Sequence, residues 1–328
     1  MSDGVREISR ARAERNASRR VAVPAALFRD GRDPPFVLFN TLGGRALPTA
    51  ARTVYLSRGD IDALHDFLRA QLGKMAHDER VPAADLSWAI VRLLELEIIG
   101  LLTDHRDAEP SSDLEVLAEH VATFAGRGPE ARMALLPPWP SVHTPVAHAV
   151  DTALYATALA ASHGAEDIAI ADLVVGGLLA DIGKVHLPRQ MLERSGPLHR
   201  EEWETMHRHP EQSVQVMERL GIGSANARAA ARSHHERLDG SGYPDGLAGD
   251  EIPIAARCLA IADAFSALVV RRPGRRTMTT FEALQAMSAP AGQFEPGLLR
   301  TLVAVIAETG AAAGGFSAPA DGALHRVA

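Results

Sequence analysis

Residues 234–247 read HHERLDGSGYPDGL, and this stretch decides how the 328-residue chain is interpreted. Two adjacent histidines open it, and three glycines follow within the seven residues 240–246. Glycine permits tight turns and lets a backbone approach a ligand closely. An ordinary surface turn would also contain glycine and proline, but the histidine pair directly before this one favours a binding loop.

The sequence around this loop has helical periodicity from about residue 141 onward. Aromatic residues make up only 5% of the chain, so its cores must be built from aliphatic residues and alanine, which favours helices. Pro210 suits the first turn of a helix, and Thr279 with Glu282 predicts a capping box. The predicted helices span residues 146–162, 167–181, 200–207, 210–220, 224–235, 254–271, 280–287 and 296–309.

Polar residues interrupt these apolar helices at a few positions. Asp181 closes one apolar helix, and Asp263 lies inside the apolar run 259–265. A carboxylate in such a run is at least partly buried, and a buried charge needs a partner or a metal ion. Imidazole and carboxylate together suit Fe, Mn or Zn, and one carboxylate can bridge two ions. The interrupting residues are His148, Asp181, Lys184, His209, His234, His235 and Asp263.

Each of these residues alone has an ordinary alternative, because aspartate often ends a helix and histidine is usually packed or exposed. That ordinary role is assigned to His163, His186, His199 and His207, while His143 stays a candidate ligand. Lys184 is less easily assigned an ordinary role, because it is one of only two lysines among 34 basic residues. A lysine in a chain that otherwise uses arginine favours a positional role.

Three motifs in this order resemble the HD-GYP domain, whose members are metal-dependent phosphodiesterases of the HD superfamily that hydrolyse cyclic di-GMP. They are LLADIGK at 178–184, His209-Pro210, and the loop at 234–247. The resemblance covers residues 141–310, about half of the chain, and implies an all-helical bundle.

The resemblance also implies a role for each polar residue. Asp181 would bridge two divalent metal ions, with Fe or Mn favoured, and Lys184 would meet the substrate phosphate, which makes these two the catalytic residues. His148 and Asp263 would bind the first ion together with Asp181. The ligands of the second ion would be Asp181, His209, His234 and His235. The substrate-binding residues would be Lys184, Gly242, Tyr243, Pro244, Arg272 and Arg275.

Three positions depart from the family pattern. Ala180 stands where the family has the histidine of its His-Asp pair, so the first metal ion loses an imidazole and is expected to be weakly held or missing. Ser266 replaces a common second aspartate, and Gly274 replaces a usual aromatic residue.

Two functions follow from this pattern. The first is a phosphodiesterase that converts cyclic di-GMP to pGpG or GMP in bacterial second-messenger signalling. The alternative is a catalytically degenerate domain that binds nucleotide or metal and serves as a sensor or as a scaffold for partners such as GGDEF-type cyclases.

The fold class predicted for the whole chain is mainly α, with a small α+β domain before the helical bundle. Strand-like segments at 21–23, 26–28, 36–39 and 53–56 precede helices over about 60–72 and from about 82. The predicted divisions are a basic arm (1–21), an α+β accessory domain (22–107), a connecting segment (108–140), the HD-GYP domain (141–310) and a tail (311–328). Within the connecting segment, residues 114–124 are predicted to form a helix and the glycine- and proline-rich residues 126–140 a linker.

Charge and composition exclude several classes of protein. The formal net charge of −7 argues against general nucleic-acid binding, which needs a basic surface. The single cysteine, Cys258, excludes a disulfide framework and fits a reducing compartment. The best candidate for a membrane span, residues 168–180, is too short and contains Asp172. The N-terminus has no hydrophobic signal core, so a cytoplasmic protein is expected, with a homodimer left open.

Overall fold

The computed structural model describes residues 20–40, 52–104, 113–136, 144–164, 168–192, 196, 198–270, 277–289 and 292–312. The chain divides into two compact units, one made of residues 1–89 with 309–328 and the other of residues 90–308. The predicted fold class is confirmed, because the described structure is mainly helical with a small two-stranded sheet near the N-terminus. Most of the predicted basic arm and C-terminal tail lies outside the described residues.

The first unit contains an antiparallel strand pair followed by helix. Strand β1 (Arg20–Pro24) pairs with β2 (Thr53–Ser57), and Val23 lies opposite Val54. Alternate residues of both strands are buried, as expected when one face of a sheet covers a core. Helix α1 (Ile61–His77) follows, and helix α2 (Ala83–Asp104) begins directly after Pro82.

Two of the strand-like segments do not form strands. Residues Ala25–Phe28 form a buried 3₁₀ turn, because each of the four side chains points into the core and none can alternate with solvent. The segment 36–39 contributes only an isolated bridge between Phe39 and Tyr55. Two prolines precede this segment, and Phe36 packs edge-on against Phe28 and Phe67, so aromatic packing replaces strand pairing.

The second unit is a helical bundle. Besides residues 90–104 of α2, the helices that lie wholly or mostly in this unit are α3 (Asp113–Ala125), α4 (Pro129–Leu135), α5 (Pro145–His163), α6 (Ile170–Leu179), α7 (Arg189–Leu192), α8 (Arg200–Met206), α9 (His209–Leu220), α10 (Ala225–Arg232), α11 (Ile254–Val269), α12 (Thr280–Ser288) and α13 (Pro296–Ala312). The capping box of Thr279 and Glu282 and the early position of Pro210 in α9 are both confirmed. Among the described residues, no helix has the length and apolar character that a membrane crossing requires.

The predicted linker at 126–140 contains a helix, which corrects that interpretation. Pro129 occupies the first turn of α4, where its missing amide proton costs nothing. Ala131 and Leu135, four residues apart, are both buried on one face of this helix. The glycine and proline content concealed this short amphipathic segment.

Small residues bring the central helices of the bundle into close contact. Helix α5 is buried along most of its length, and it packs against α6 and α11. A side chain at Gly177 of α6 would place its Cβ only 2.8 Å from the Cα of Ala153 on α5, so only glycine fits this crossing. Cys258 of α11 is part of the same core and is fully buried. This packing fixes the end of α6, where Asp181 follows.

Candidate metal centre

Asp181 is held in place by a turn that locks the end of α6 to α9. The turn consists of Ala180, Asp181 and the 3₁₀ segment Ile182–His186. Ser213 of α9 accepts a hydrogen bond from the Gly183 amide at 2.9 Å and donates one to the carbonyl of Ala180 at 2.6 Å. A Cβ at Gly183 would lie 2.5 Å from the Ser213 amide nitrogen, so this close approach requires glycine.

Two imidazoles face Asp181 from helix ends. His209 begins α9 and donates its Nδ1 proton to the carbonyl of Met206 at 2.7 Å. His234 follows α10 and donates its Nδ1 proton to the carbonyl of Ala231 at 2.6 Å. Both Nε2 atoms therefore carry a lone pair in the neutral rings, and they lie 3.1 and 3.6 Å from Asp181 Oδ1.

These three atoms could each donate an electron pair to a metal ion, and together they are called the donor set below. Within the described part of the chain, Asp181 Oδ1, His209 Nε2 and His234 Nε2 are buried and make no hydrogen bond. Buried polar atoms are normally satisfied, and orphaned ones that converge on a point indicate a metal ion. His235 adds a fourth donor, because one atom from each of the four residues lies within 4.8 Å of the others.

A second group of donors lies on the other side of Asp181. His148 of α5 joins Asp263 of α11 through Nε2 and Oδ1 at 2.9 Å, and its Nδ1 contacts Ser266 Oγ at 3.0 Å. Asp181 Oδ2 lies 3.8 Å from His148 Nε2 and accepts a hydrogen bond from Lys184 Nζ at 2.6 Å. Atoms of His148, Asp181 and Asp263 also lie within 4.8 Å of one another.

The local electrostatics favour charged carboxylates beside neutral imidazoles. Burial raises the pKa of Asp181, but Lys184, His209 and His234 lower it more, so this pKa is well below its usual value. Burial lowers the pKa of His209 and of His235, which keeps both rings in the neutral form that metal ions bind. The pKa of His148 is raised instead, because the attraction of Asp263 outweighs the effect of burial.

The loop 236–247 is folded around one buried carboxylate. Glu236 is only 1% exposed and accepts three backbone hydrogen bonds, from Asp245 at 2.7 Å and from Gly246 and Leu247 at 3.1 Å. A Cβ at Gly242 would lie 2.6 Å from the carbonyl oxygen of His235, so the loop lies directly against the histidine pair. The glycine requirement predicted for this loop is thus a requirement for close approach.

Tyr243 lies between two imidazole rings beside the donor set. Its ring stacks on His207 with a centroid distance of 3.9 Å and an angle of 15°, and His235 lies 4.6 Å away. Burial and the charges of Asp181 and Asp263 raise the pKa of Tyr243, so the phenol keeps its proton and can donate a hydrogen bond. Trp203, 48% exposed, contacts the edge of His207.

Comparison with known proteins identifies the family of this arrangement. Residues 121–298 match the sequence profile of the family described as HD domain. The chain belongs to the HD-domain family. That match includes α5, α6, α9, α10 and α11, which carry or adjoin the residues of both donor groups.

Two curated relatives of this HD domain are enzymes of cyclic dinucleotides. The 3'3'-cGAMP-specific phosphodiesterase 2 of Vibrio cholerae is 38% identical over 160 residues, which cover 48% of this chain and 30% of the relative. A cyclic di-GMP phosphodiesterase of Pseudomonas aeruginosa is 30% identical over 214 residues, covering 64% of this chain and 51% of the relative. The chain therefore spans about half or less of the length of these relatives.

A solved structure supports the fold of the HD-domain protein. Bd1817, a HDG"Y"P protein from Bdellovibrio bacteriovorus, superimposes with a TM-score of 0.61 at 16% identity. The match covers 88% of this chain and 99% of that chain. At this identity the likeness establishes the fold alone.

The HD-domain structure places the residues that the resemblance implies as ligands in two groups. His148, Asp181 and Asp263 form one group, and Asp181, His209, His234 and His235 form the other. Lys184 contacts Asp181, and Gly242, Tyr243 and Pro244 lie in the loop beside His235. Arg272, Arg275, Gly274 and the candidate ligand His143 lie outside the described residues.

Sequence reasoning missed three supporting residues. Glu236 organises the loop, Ser213 locks the turn that carries Asp181, and His207 stacks on Tyr243. The sequence did contain an indication of the role of Glu236. An acidic residue directly after two histidines and before a glycine-rich segment has many backbone amides within reach. Nothing local distinguishes Ser213, because its two partners are 30 and 33 residues away.

Proposed function

We propose that this HD domain hydrolyses a phosphodiester bond of a cyclic dinucleotide, with cyclic di-GMP as the favoured substrate. The supporting observation is the convergence of three buried, unpaired donor atoms, Asp181 Oδ1, His209 Nε2 and His234 Nε2, beside a glycine-rich loop. The two curated relatives add the substrate class, since cyclic di-GMP and 3'3'-cGAMP share a ring of two phosphodiester linkages. Cleavage of one linkage gives linear pGpG, and cleavage of both gives GMP.

The donor groups suit two divalent metal ions, for which Fe or Mn is the preferred identity. Asp181, His209, His234 and His235 would hold one ion tightly, and His148, Asp181 and Asp263 would hold the other weakly. Ala180 contributes only a methyl group to that weaker side, where the Ala-Asp pair replaces His-Asp. Bound metal ions supply Lewis acidity and a hydroxide-like nucleophile at neutral pH.

The chain's own residues would bind and orient the substrate. Lys184 has a partly exposed ammonium group next to Asp181, from which it can meet a phosphate oxygen. The protonated phenol of Tyr243 can donate a hydrogen bond to another phosphate oxygen, and Gly242 lets the loop approach closely. Arg272 and Arg275 remain candidates for further phosphate contacts.

The alternative function is a sensor or scaffold that binds nucleotide or metal without turnover and acts on a GGDEF-type partner. Ser266 supports it, because this residue supplies a hydroxyl to His148 at 3.0 Å in place of a carboxylate. For either function we propose a cytoplasmic location, since the single cysteine is free and buried.

The decisive experiment measures metal content and turnover on one sample. The full chain is purified without oxygen, its metal ions are counted, and hydrolysis of cyclic di-GMP and 3'3'-cGAMP is followed by chromatography with pGpG and GMP as standards. We expect turnover that is abolished by a chelator and restored by Mn²⁺ or Fe²⁺. Tight binding of cyclic di-GMP with no hydrolysis after metal is restored would establish the sensor function instead.

A further inference from the structure

Four aromatic side chains form a continuous column beside the donor set. The ring centroids of His235 and Tyr243 are 4.6 Å apart, and Tyr243 stacks on His207 at 3.9 Å. Trp203 follows, with its centroid 5.5 Å from that of His207. These four residues are called the aromatic column below. One end is His235, itself a candidate metal ligand, and the other end is Trp203, which is 48% exposed.

The inner rings of the aromatic column are covered, whereas the outer ring is open. Tyr243 lies between His207 and His235, inclined by 15° to the first ring and by 32° to the second. Neither face of this phenol is therefore free to stack on a ligand. Trp203 meets His207 in a T-shaped contact at 62°, which leaves at least one face of the indole uncovered by that ring. Within the column, the open aromatic surface is that of Trp203.

The packing of helix α8 does not explain why it carries a tryptophan. None of the side chains of this helix is buried, so Trp203 does not anchor it to the core. The helix is held instead by the capping box of His199 and Glu202 and by the hydrogen bond from the His207 amide to the Trp203 carbonyl at 2.9 Å. Single exposed apolar residues are common on protein surfaces, but this one continues a row of rings that starts at the donor set.

We propose that Trp203 is the surface on which one purine base of a cyclic dinucleotide stacks while a phosphodiester group lies at the donor set. The inference rests on the proposed function, because it takes a cyclic dinucleotide as the ligand, and it adds the side chain that holds a base. Every nucleobase has a flat face, and stacking on an aromatic side chain strengthens binding without reading the edge of the base. Trp203 would therefore accept guanine and adenine alike.

The two outer members of the site then contact different parts of the ligand. Each base of a cyclic dinucleotide is one sugar away from a phosphate, so a ligand with its phosphate at the centre can extend a base outward along the aromatic column. Tyr243 would contact the phosphate through its hydroxyl group, because both faces of its ring are occupied. Trp203 would contact the base through the open face of its indole.

The test compares phosphodiesters with and without a base. Trp203→Leu keeps an apolar side chain but removes the ring, and Phe281→Leu is the matched control, since Phe281 is a 73% exposed ring on α12. With Mn²⁺ present, initial rates are measured for cyclic di-GMP, 3'3'-cGAMP and methyl 4-nitrophenyl phosphate, which has no nucleobase.

The expected result is a loss of binding that is confined to substrates with a base. Trp203→Leu should raise KM for both cyclic dinucleotides by about tenfold with kcat unchanged, because the base is stacked equally in the ground state and the transition state. Hydrolysis of methyl 4-nitrophenyl phosphate should stay at the wild-type rate. Trp203→Phe should recover part of the loss, and Phe281→Leu should match wild type with all three substrates.

A second measurement does not depend on turnover. A purine stacked on an indole quenches its fluorescence, so cyclic di-GMP should quench the wild-type chain when mixed by stopped flow. The quench should be missing in Trp203→Leu although Trp88 and Trp139 remain. Because α8 has no buried side chain, this variant should fold, which circular dichroism can verify.

Each outcome separates this inference from the proposed function. Hydrolysis of cyclic di-GMP with an unchanged KM in Trp203→Leu would overturn the inference and leave the function standing. An equal loss with methyl 4-nitrophenyl phosphate would also overturn it, since Trp203 would then support the centre rather than a base. Quenching in wild type and weaker binding in Trp203→Leu, with no hydrolysis by either chain, would support the inference while the phosphodiesterase proposal fails. A chain that neither binds nor hydrolyses a cyclic dinucleotide would overturn both.

Discussion

The candidate metal centre and the loop 236–247 lie side by side but obtain their geometry in different ways. Three candidate ligands of the centre, Asp181, His209 and His234, lie at helix ends. The rings of His209 and His234 are oriented by carbonyls three residues earlier. The loop has no such framework, and three of its amides converge on the single carboxylate of Glu236. We therefore expect a change of charge to impair metal binding at the centre, and replacement of Glu236 to impair the loop. Each change should leave the other region intact.

The largest effect is expected from a change in the centre. Asp181→Asn keeps the size of the side chain but removes its charge, so metal ions should be lost from the chain. Turnover should fall by more than the roughly 100-fold that residues merely supporting a ligand cause. Metal analysis and a cyclic di-GMP assay measure both quantities. Full metal content in this variant would show that Asp181 is not the shared ligand.

Glu236→Gln should damage the loop and spare the centre. The amide oxygen of glutamine can accept two of the three backbone protons, and its NH₂ group faces the third, which leaves a buried group unpaired. We expect the free energy of unfolding to fall by about 1–3 kcal/mol. KM should rise about tenfold while metal content stays unchanged. Denaturant titration and steady-state kinetics report these effects.

Glu251→Gln is the matched control for that variant. Glu251 accepts one exposed backbone hydrogen bond, from Ala248 at 3.0 Å. Its replacement should change the free energy of unfolding by well under about 1 kcal/mol. If both variants behaved alike, burial of Glu236 would not be the cause of the loop's stability.

His207→Ala tests a contact between the loop and the helices. The stacked ring steadies Tyr243, and aromatic pairs contribute roughly 0.5–1.5 kcal/mol beyond burial. KM should therefore rise severalfold with little change in kcat or metal content. His163→Ala is the control, because His163 lies about 22 Å along α5 from His148 at 1.5 Å per residue. An equal rise in KM for both variants would contradict the role of the stack.

Arg232→Gln should have the smallest effect. Arg232 makes two hydrogen bonds of 2.8 Å to Asp245 at the loop's surface, and both side chains are about one-third exposed. Exposed ion pairs typically contribute about 0–1 kcal/mol. Unfolding measured at low and high salt should show a small difference that salt reduces further. Collapse of activity in this variant would mean that Glu236 is not the main support of the loop.

The fold was largely predictable because its signals are local. Apolar periodicity indicated the long helices, and the resemblance to the HD-GYP domain implied which histidines and aspartates meet. Segment 26–28 was misread because a continuous apolar run fits a strand or a buried turn equally well. Helix α4 was hidden by the glycines and prolines that flank it in the sequence.

The supports of the site were less predictable, for physical reasons. The stacking of His207 on Tyr243 joins residues 36 positions apart and depends on how the loop folds back. The contact between Asp181 and Lys184 was within reach of the sequence, since residues three apart are neighbours on one turn of helix. The engagement of His148 by Ser266 needed the packing of α5 against α11.

The burial of Cys258 has a practical consequence for measuring loop motion. Its thiol is inaccessible in the core of α11, and burial raises its pKa to about 12, so it stays unreactive towards alkylating probes at neutral pH. The native chain is thus a ready host for single-site labelling. A fluorophore or spin label on Ser241→Cys, an exposed loop position, would report opening and closing of the loop without background from the natural thiol.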